Sequence, residues 1–231
     1  IDAPQLDDED PHPPPPPPEP PPEEVAIEQP DPASVTTIGI ATYNIQSGRN
    51  TRLEFALRAL DKMGNVDLCF LTEAKLTDGI YTRHSYGFDV VASEAMSPQR
   101  GGLALAYRKS PYWQVESTEC HGPNVMSCVL VTGTTRQPLV GVYIPPQDET
   151  TIEYLERALT RFREGPAPII LGDLNANLSV PKDARDHRIA DLLAAEGLFD
   201  MLTHFKQRTA YADLATWKQH STEGGILRRG W

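Results

Sequence analysis

Pro168-Ile169-Ile170-Leu171-Gly172-Asp173-Leu174-Asn175-Ala176-Asn177 decides how this chain is read. The apolar run Pro168 to Leu171 ends in Gly172, which is the pattern of a buried strand, and a carboxylate and an amide follow at the point where burial stops. In an extended backbone successive side chains alternate faces, so Asp173 and Asn175 share one face while Leu174 returns to the core. An anionic oxygen and an amide then stand together at the C-terminal edge of a strand, where open α/β sheets hold their ligands. A second reading is open beside this one: an Asx-rich turn that simply leaves the sheet.

Two earlier segments end in the same way. Ile38 to Tyr43 alternates like a strand and runs into Asn44, and Val66 to Leu71 is a buried strand that ends in Thr72 and Glu73. Between them Thr51 and Glu54 read as a capping box, Leu53, Ala56, Leu57 and Leu60 as the apolar stripe of a helix, and Gly64 as its stop. Turn-separated strands follow over Phe88 to Ala92, Gly102 to Arg108, Trp113 to Ser117, Val125 to Thr132 and Leu139 to Ile144, spaced as hairpins. Thr150 and Glu153 form a second capping box for a helix with the stripe Ile152, Leu155, Leu159 and Phe162, closed by Gly165. Ile189, Leu192 and Leu193 mark a last helix ended by Gly197. The order strand-helix-strand, hairpins, strand-helix-strand, helix predicts an α/β domain of two mixed sheets packed face to face with helices outside.

Composition divides the 231 residues unequally. Residues 1–35 hold 13 of the 22 prolines and ten of the 32 acids, with no Lys or Arg. Such a segment cannot bury enough apolar surface to offset its ordering entropy and reads as a disordered acidic tail. Its run Pro13 to Pro18 favours polyproline II and is a candidate ligand for a polyproline-reading domain. The remaining 22 acidic and 21 basic residues nearly cancel, so the total of −11 is no argument against a polyanionic partner for the body. Cys69, Cys120 and Cys128 lack metal-finger spacing, no apolar stretch reaches the ~20 residues of a membrane span, and the N-terminus is unlike a signal peptide. A soluble, intracellular protein is expected, and the initial Ile points to a piece of a longer product.

Asn44, Glu73, Asp173 and Asn175 are a hard-oxygen set without Cys or His, suited to Mg²⁺ or Mn²⁺ rather than zinc. A single ion on one or two carboxylates serves phosphate-ester hydrolysis, with Asp173 orienting or deprotonating water.

In this order the segments resemble the motifs of the endonuclease/exonuclease/phosphatase superfamily. Thr42-Tyr43-Asn44-Ile45-Gln46-Ser47-Gly48 is similar to its first motif, and Leu71-Thr72-Glu73-Ala74-Lys75 to its glutamate motif. Val142-Tyr143-Ile144-Pro145-Pro146 is similar to its tyrosine motif, and Gly172-Asp173-Leu174-Asn175 to its Asp-x-Asn motif. Arg100-Gly101-Gly102-Leu103-Ala104 and Thr216-Trp217 resemble features of the branch carried by non-LTR retrotransposons.

The resemblance implies a four-layer α/β sandwich over residues 36–231 and a nuclear, divalent-metal-dependent DNA endonuclease. Glu73 would be the main metal ligand with Asn44 beside it and Asp173 sharing the metal. Tyr143 would donate to the scissile phosphate, Asp173 would position water, and Asn175 would hold phosphate. Arg49, Lys75 and Arg100 are read as substrate-binding cations. The family closes with an Asp and then an Asp-His pair, which do not appear before Trp231, and His84, His121, His187, His204 and His220 stand in other contexts. An incomplete domain lacking its last strands, and impaired by the missing His, is therefore expected. Two further functions stay open: a phosphatase of a small phosphate ester such as an inositol phosphate or lipid headgroup, and a catalytically dead remnant that acts as a binding module. No oligomer is implied.

Overall fold

The computed structural model describes residues 37–46, 50–76, 81–97, 100–201, 219–220 and 226–227. The Pro-rich tail, Arg49, His204 and the Thr216-Trp217 pair lie outside the described residues.

Strand β1 (Ile40–Asn44), helix α1 (Asn50–Met63) and strand β2 (Leu68–Thr72) form the first strand-helix-strand unit, with β1 and β2 parallel. The apolar stripe works as expected: Leu53, Ala56, Leu57 and Leu60 are buried against the sheet, and Gly64 ends the helix at φ +70°. The helix begins at Asn50, one residue before Thr51, and Glu54 accepts a hydrogen bond from Arg83 of the next strand. That strand, β3 (Tyr81–Ser85), is absent from the sequence reading. It is a polar edge strand held to β4 (Phe88–Ala92) by backbone pairing, and so carries little hydrophobic signal. With β5 (Leu103–Arg108) the first sheet has the order β1-β2-β5-β4-β3.

Strands β6 (Gln114–Gly122), β7 (Val125–Thr132) and β8 (Thr135–Tyr143) make an antiparallel meander. Helix α2 (Thr150–Thr160) then crosses to β9 (Ile169–Asp173), which lies parallel to β8 and completes the four-stranded sheet β6-β7-β8-β9. The N-terminus of α2 differs from expectation. Glu149 is the N-cap without a side-chain cap bond, and Asp148 instead accepts from the Thr150 and Thr151 N–H groups at 3.0 and 3.4 Å and from the Thr151 hydroxyl at 2.7 Å. A buried carboxylate thus satisfies three donors, more than the Thr150 hydroxyl can. The helix also stops at Thr160, and turns carry the chain to Gly165. Helix α3 (Ala184–Ala195) is capped by Asp183, which accepts from the Asp186 N–H. A short ribbon pairs β10 (Gln219–His220) with β11 (Ile226–Leu227).

Phe70, Leu103, Leu105, Met126, Cys128 and Leu139 fill the space between the two sheets, while α1 covers the outer face of one and α2 and α3 that of the other. These are the four layers. Gly141 is a packing requirement of the central layer, since a Cβ there would lie 2.0 Å from the Phe70 ring. Burial pushes the Cys69 and Cys128 thiols up to about 12, the behaviour of structural rather than reactive cysteines.

Candidate active site

Parallel pairing aligns the ends of strands. The last register pair of β1 and β2 is Asn44 with Thr72, and that of β8 and β9 is Tyr143 with Asp173. Side chains from both sheets therefore meet at one edge of the sandwich. Asn44 Nδ2 donates to Glu73 Oε1 at 2.8 Å. A carboxylate only accepts, so the amide nitrogen must face it, and Asn44 Oδ1 is left to receive the Gln46 N–H at 3.0 Å. The Lys75 ammonium lies 3.1 Å from Glu73 Oε2 and donates to the Gln46 carbonyl at 2.7 Å. Tyr143, from the other sheet, brings its hydroxyl toward the Glu73 carboxylate.

The backbone beneath this cluster is strained. Glu73 and Lys75 both adopt left-handed conformations, at φ 55° and 53°, and each costs on the order of 1–3 kcal/mol in a residue with a Cβ. The Gly101-Gly102 pair holds them there: Ala74 N–H donates to the Gly102 carbonyl at 2.9 Å and Lys75 N–H to the Gly101 carbonyl at 3.0 Å. Only glycine fits so close, because a Cβ on Gly102 would stand 2.7 Å from the Lys75 nitrogen. Behind the pair, Asn124 is fully buried in the two-residue turn between β6 and β7. Its Oδ1 takes the Gly102 N–H at 2.9 Å, its Nδ2 reaches the Thr151 hydroxyl at 3.2 Å, and its carbonyl takes the Tyr143 N–H at 2.9 Å. One amide thus ties the glutamate loop to the tyrosine strand.

Asp173 and Asn175 are related by a turn, not by strand alternation. β9 ends at Asp173, Asn175 has φ 46°, and Asp173 Oδ1 accepts the Asn175 N–H at 3.0 Å. The Asx turn is thus the geometry, and it also fixes one carboxylate oxygen while Asn175 Nδ2 donates to the Ile144 carbonyl at 3.1 Å. Arg185, near the start of α3, clamps this turn. Its guanidinium donates to the carbonyls of Asn175 at 2.7 Å and Leu174 at 3.2 Å, and reaches those of Ile144 and Pro145 at 3.4 Å.

Charges oppose each other across the cluster. Burial pushes the Glu73 carboxyl up, but hydrogen bonds from Asn44, Lys75 and Tyr143 and the Lys75 charge outweigh it and hold Glu73 below the ordinary carboxylate value. Asp173 moves the other way: burial and the Glu73 charge raise it against the Asn175 N–H and the Arg185 charge. Burial and the Glu73 and Asp173 charges raise Tyr143 so that it keeps its proton, with Arg100 opposing them. Two carboxyls in one site are thereby driven apart, the arrangement that separates an ionised anchor from a proton acceptor.

Of the residues expected from sequence, Asn44, Glu73, Lys75 and Tyr143 are in contact, and Asp173 is coupled to Glu73 and Tyr143 through charge. Asn175 joins them through the Asp173 turn, while Arg100 is exposed nearby. Arg185 and Asn124 escaped the sequence reading. Their partners are mostly backbone groups on other elements, and the weak signs were an Arg two residues after a helix-capping Asp and a Pro-Asn turn between strands.

The donor set fits a hard cation. The Lys75 ammonium already shows that Glu73 Oε2 accepts a positive charge, and every side-chain acceptor facing it is oxygen. Among the described residues no three His, Cys, Asp or Glu side chains converge as a closed metal cage. Mg²⁺ is held in that way, by one or two carboxylates with waters and substrate phosphate completing its shell.

The Endonuclease/Exonuclease/phosphatase family profile matches residues 41–225, and so includes all four strand ends. The chain belongs to this family. Among solved structures, the endonuclease domain of TRAS1, a telomere-specific non-LTR retrotransposon, is similar at 17% identity and TM-score 0.59, over 83% of this chain and 81% of that one. An AP endonuclease from Archaeoglobus fulgidus is similar at 18% identity and TM-score 0.53, over 75% and 76% of the two chains. The 3'-5' exonuclease NExo from Neisseria meningitidis follows at 18% identity and TM-score 0.50, over 71% and 73%. At these identities the likeness is one of fold. No curated protein sequence matches the chain.

Proposed function

We propose that this member of the family is a divalent-metal-dependent DNA endonuclease of the retrotransposon type. The observation that carries the reading is the meeting of Asn44, Glu73, Tyr143 and Asp173 at the C-terminal ends of two parallel strand pairs from facing sheets. The similarity to the TRAS1 domain supports the choice of DNA as substrate.

Glu73 Oε2 and Asp173 would hold Mg²⁺ or Mn²⁺, which when bound supplies Lewis-acid polarisation of a phosphoryl oxygen and neutralises charge on the leaving oxygen. Asn44 spends both ends of its amide on Glu73 and Gln46, so its part is to orient the glutamate. Asp173 would accept the proton of the attacking water as the new oxygen–phosphorus bond forms and the bond to the departing sugar oxygen breaks, its carboxylate held in place by the Asn175 N–H. Tyr143, kept protonated, turns its hydroxyl to a non-bridging phosphate oxygen when substrate displaces the contact with Glu73. Arg185 and Asn124 hold the two loops in register.

The test is nicking of supercoiled plasmid. Mg²⁺ or Mn²⁺ should support it, a chelator should stop it, and Glu73→Ala or Asp173→Ala should abolish it. Equal nicking by wild type and both variants removes the assignment. Phosphate release from small monoesters without nicking moves it to the phosphatase reading.

A further inference from the structure

Beside Asn44 opens a cavity of about 330 Å³ that the hydrolytic chemistry leaves unused. This is near the lower end of the range for small-ligand pockets, about 300–1,000 Å³. Its base is apolar, formed by buried Ile45 and Ala56, and its lining includes two aromatic residues that a folded chain ordinarily covers: Tyr43 is 47% exposed and Phe55 69% exposed. They approach from different elements, Tyr43 from β1 and Phe55 from α1. Arg52, one helical turn before Phe55 and so on the same side of α1, adds a cation that has no hydrogen-bond or ion-pair partner among the described residues. Aromatic faces over an apolar base with a guanidinium alongside match a nucleobase attached to its phosphate: the ring stacks and the cation meets the backbone. The cavity is also contiguous with the cluster, because Asn44 both lines it and hydrogen-bonds to Glu73.

We propose that this cavity receives an unstacked nucleobase of the DNA strand, next to the phosphate that is cut, packed against Phe55 and Tyr43 with Arg52 on a neighbouring phosphate. The inference rests on the endonuclease reading for the identity of the polymer and goes beyond it by naming where a base is held. Phe55 and Tyr43 then act on affinity and on the choice of cutting position, and Glu73 on turnover.

The experiment uses the whole chain and single-stranded oligonucleotides that carry one 2-aminopurine, with a chelator present so that binding is read apart from cleavage. Wild type should quench the 2-aminopurine, and Phe55→Ala and Tyr43→Ala should each weaken binding on the order of tenfold, the size of one lost base stack. Phe55→Trp should restore it, and Arg52→Ala should lower the slope of log affinity against log salt by about one. Both aromatics are substantially exposed, so circular dichroism of these variants should match wild type. Wild-type quenching and affinity in both alanine variants overturn the inference and leave the endonuclease reading untouched. Loss of quenching in the alanine variants, with no nicking by wild type under any metal, supports the base site and ends the endonuclease reading.

Discussion

Tyr143 and Asp173 are the final register pair of β8 and β9, and the Glu73 carboxylate approaches both from the opposite sheet, keeping the tyrosine protonated and raising the aspartate through its charge. Removing the tyrosine hydroxyl therefore tests the link between sheets without emptying the core. Tyr143→Phe should lower the nicking rate by about 10²–10³, the usual effect of losing one aligned donor at a reacting phosphate or carbonyl. Stability should fall only by about 1–3 kcal/mol in a urea melt, since Glu73 keeps Asn44 and Lys75.

Arg185 serves four carbonyls, and only a planar fork can do so. Arg185→Lys should keep the charge that lowers Asp173 yet lose most of the geometry, and Arg185→Met should lose both. Both should reduce kcat, with the methionine variant less stable by about 1–3 kcal/mol because carbonyls are left unpaired. Equal kcat in wild type and both variants would dismiss the clamp.

Asn124→Ala removes partners from the Gly102 N–H and the Thr151 hydroxyl at once. The Thr151 hydroxyl keeps its bond to Asp148, so the Gly102 N–H is the buried group left unsatisfied and a loss of about 1–3 kcal/mol is expected, read by thermal melt. The Glu73 loop should loosen as well, so the metal concentration for half-maximal nicking should rise.

Gly141→Ala drives a Cβ to within 2.0 Å of the Phe70 ring between the sheets. Overpacking of this kind costs about 1–3 kcal/mol, or about 2–4 °C in Tm per kcal/mol for a chain of this length. An unchanged Tm would show that the layer yields more readily than its packing indicates.

His121 gives stability a pH dependence that is independent of the cluster. Its ring is buried, with Nε2 against the Ser127 hydroxyl at 2.7 Å, and burial and the Arg157 charge lower its pKa although Glu119 lies 4.0 Å from Nδ1. With the folded value depressed, the unfolded chain takes up a proton first as pH falls below about 6.5. This contribution is thus fully present above that pH and is lost through the lowered folded value. Tm should drop between pH 7.5 and 5.5, and by less in His121→Gln.

Strand ends were legible because an apolar run stops there: Asn44, Glu73 and Asp173 each follow one, and the two strand-helix-strand units follow from their periodicity. Of these three strands only β2 is buried throughout. β9, which reads from sequence as a buried strand, is a sheet edge with Ile169 45% exposed and the rest half-buried, and β1 is a partly exposed edge as well. What escaped was structure specified by backbone partners. β3 pairs through its main chain while its side chains are polar, Asp148 caps α2 from outside the expected box, and Arg185 and Asn124 bind carbonyls and N–H groups that carry no residue identity. The relation of Asp173 to Asn175 was visible as two options, and the left-handed Asn175 selects the turn. Local pattern can show where polarity begins but not which distant main chain will meet it.

Because each sheet contributes only two of the converging strand ends, neither half of the molecule owns the reaction. A shift of one sheet across the other by a fraction of an ångström would leave every functional group intact and still misaim Tyr143 from Glu73. The side chains packed around Phe70, far from any phosphate, therefore act as the gauge block that sets the spacing of the cutting edge.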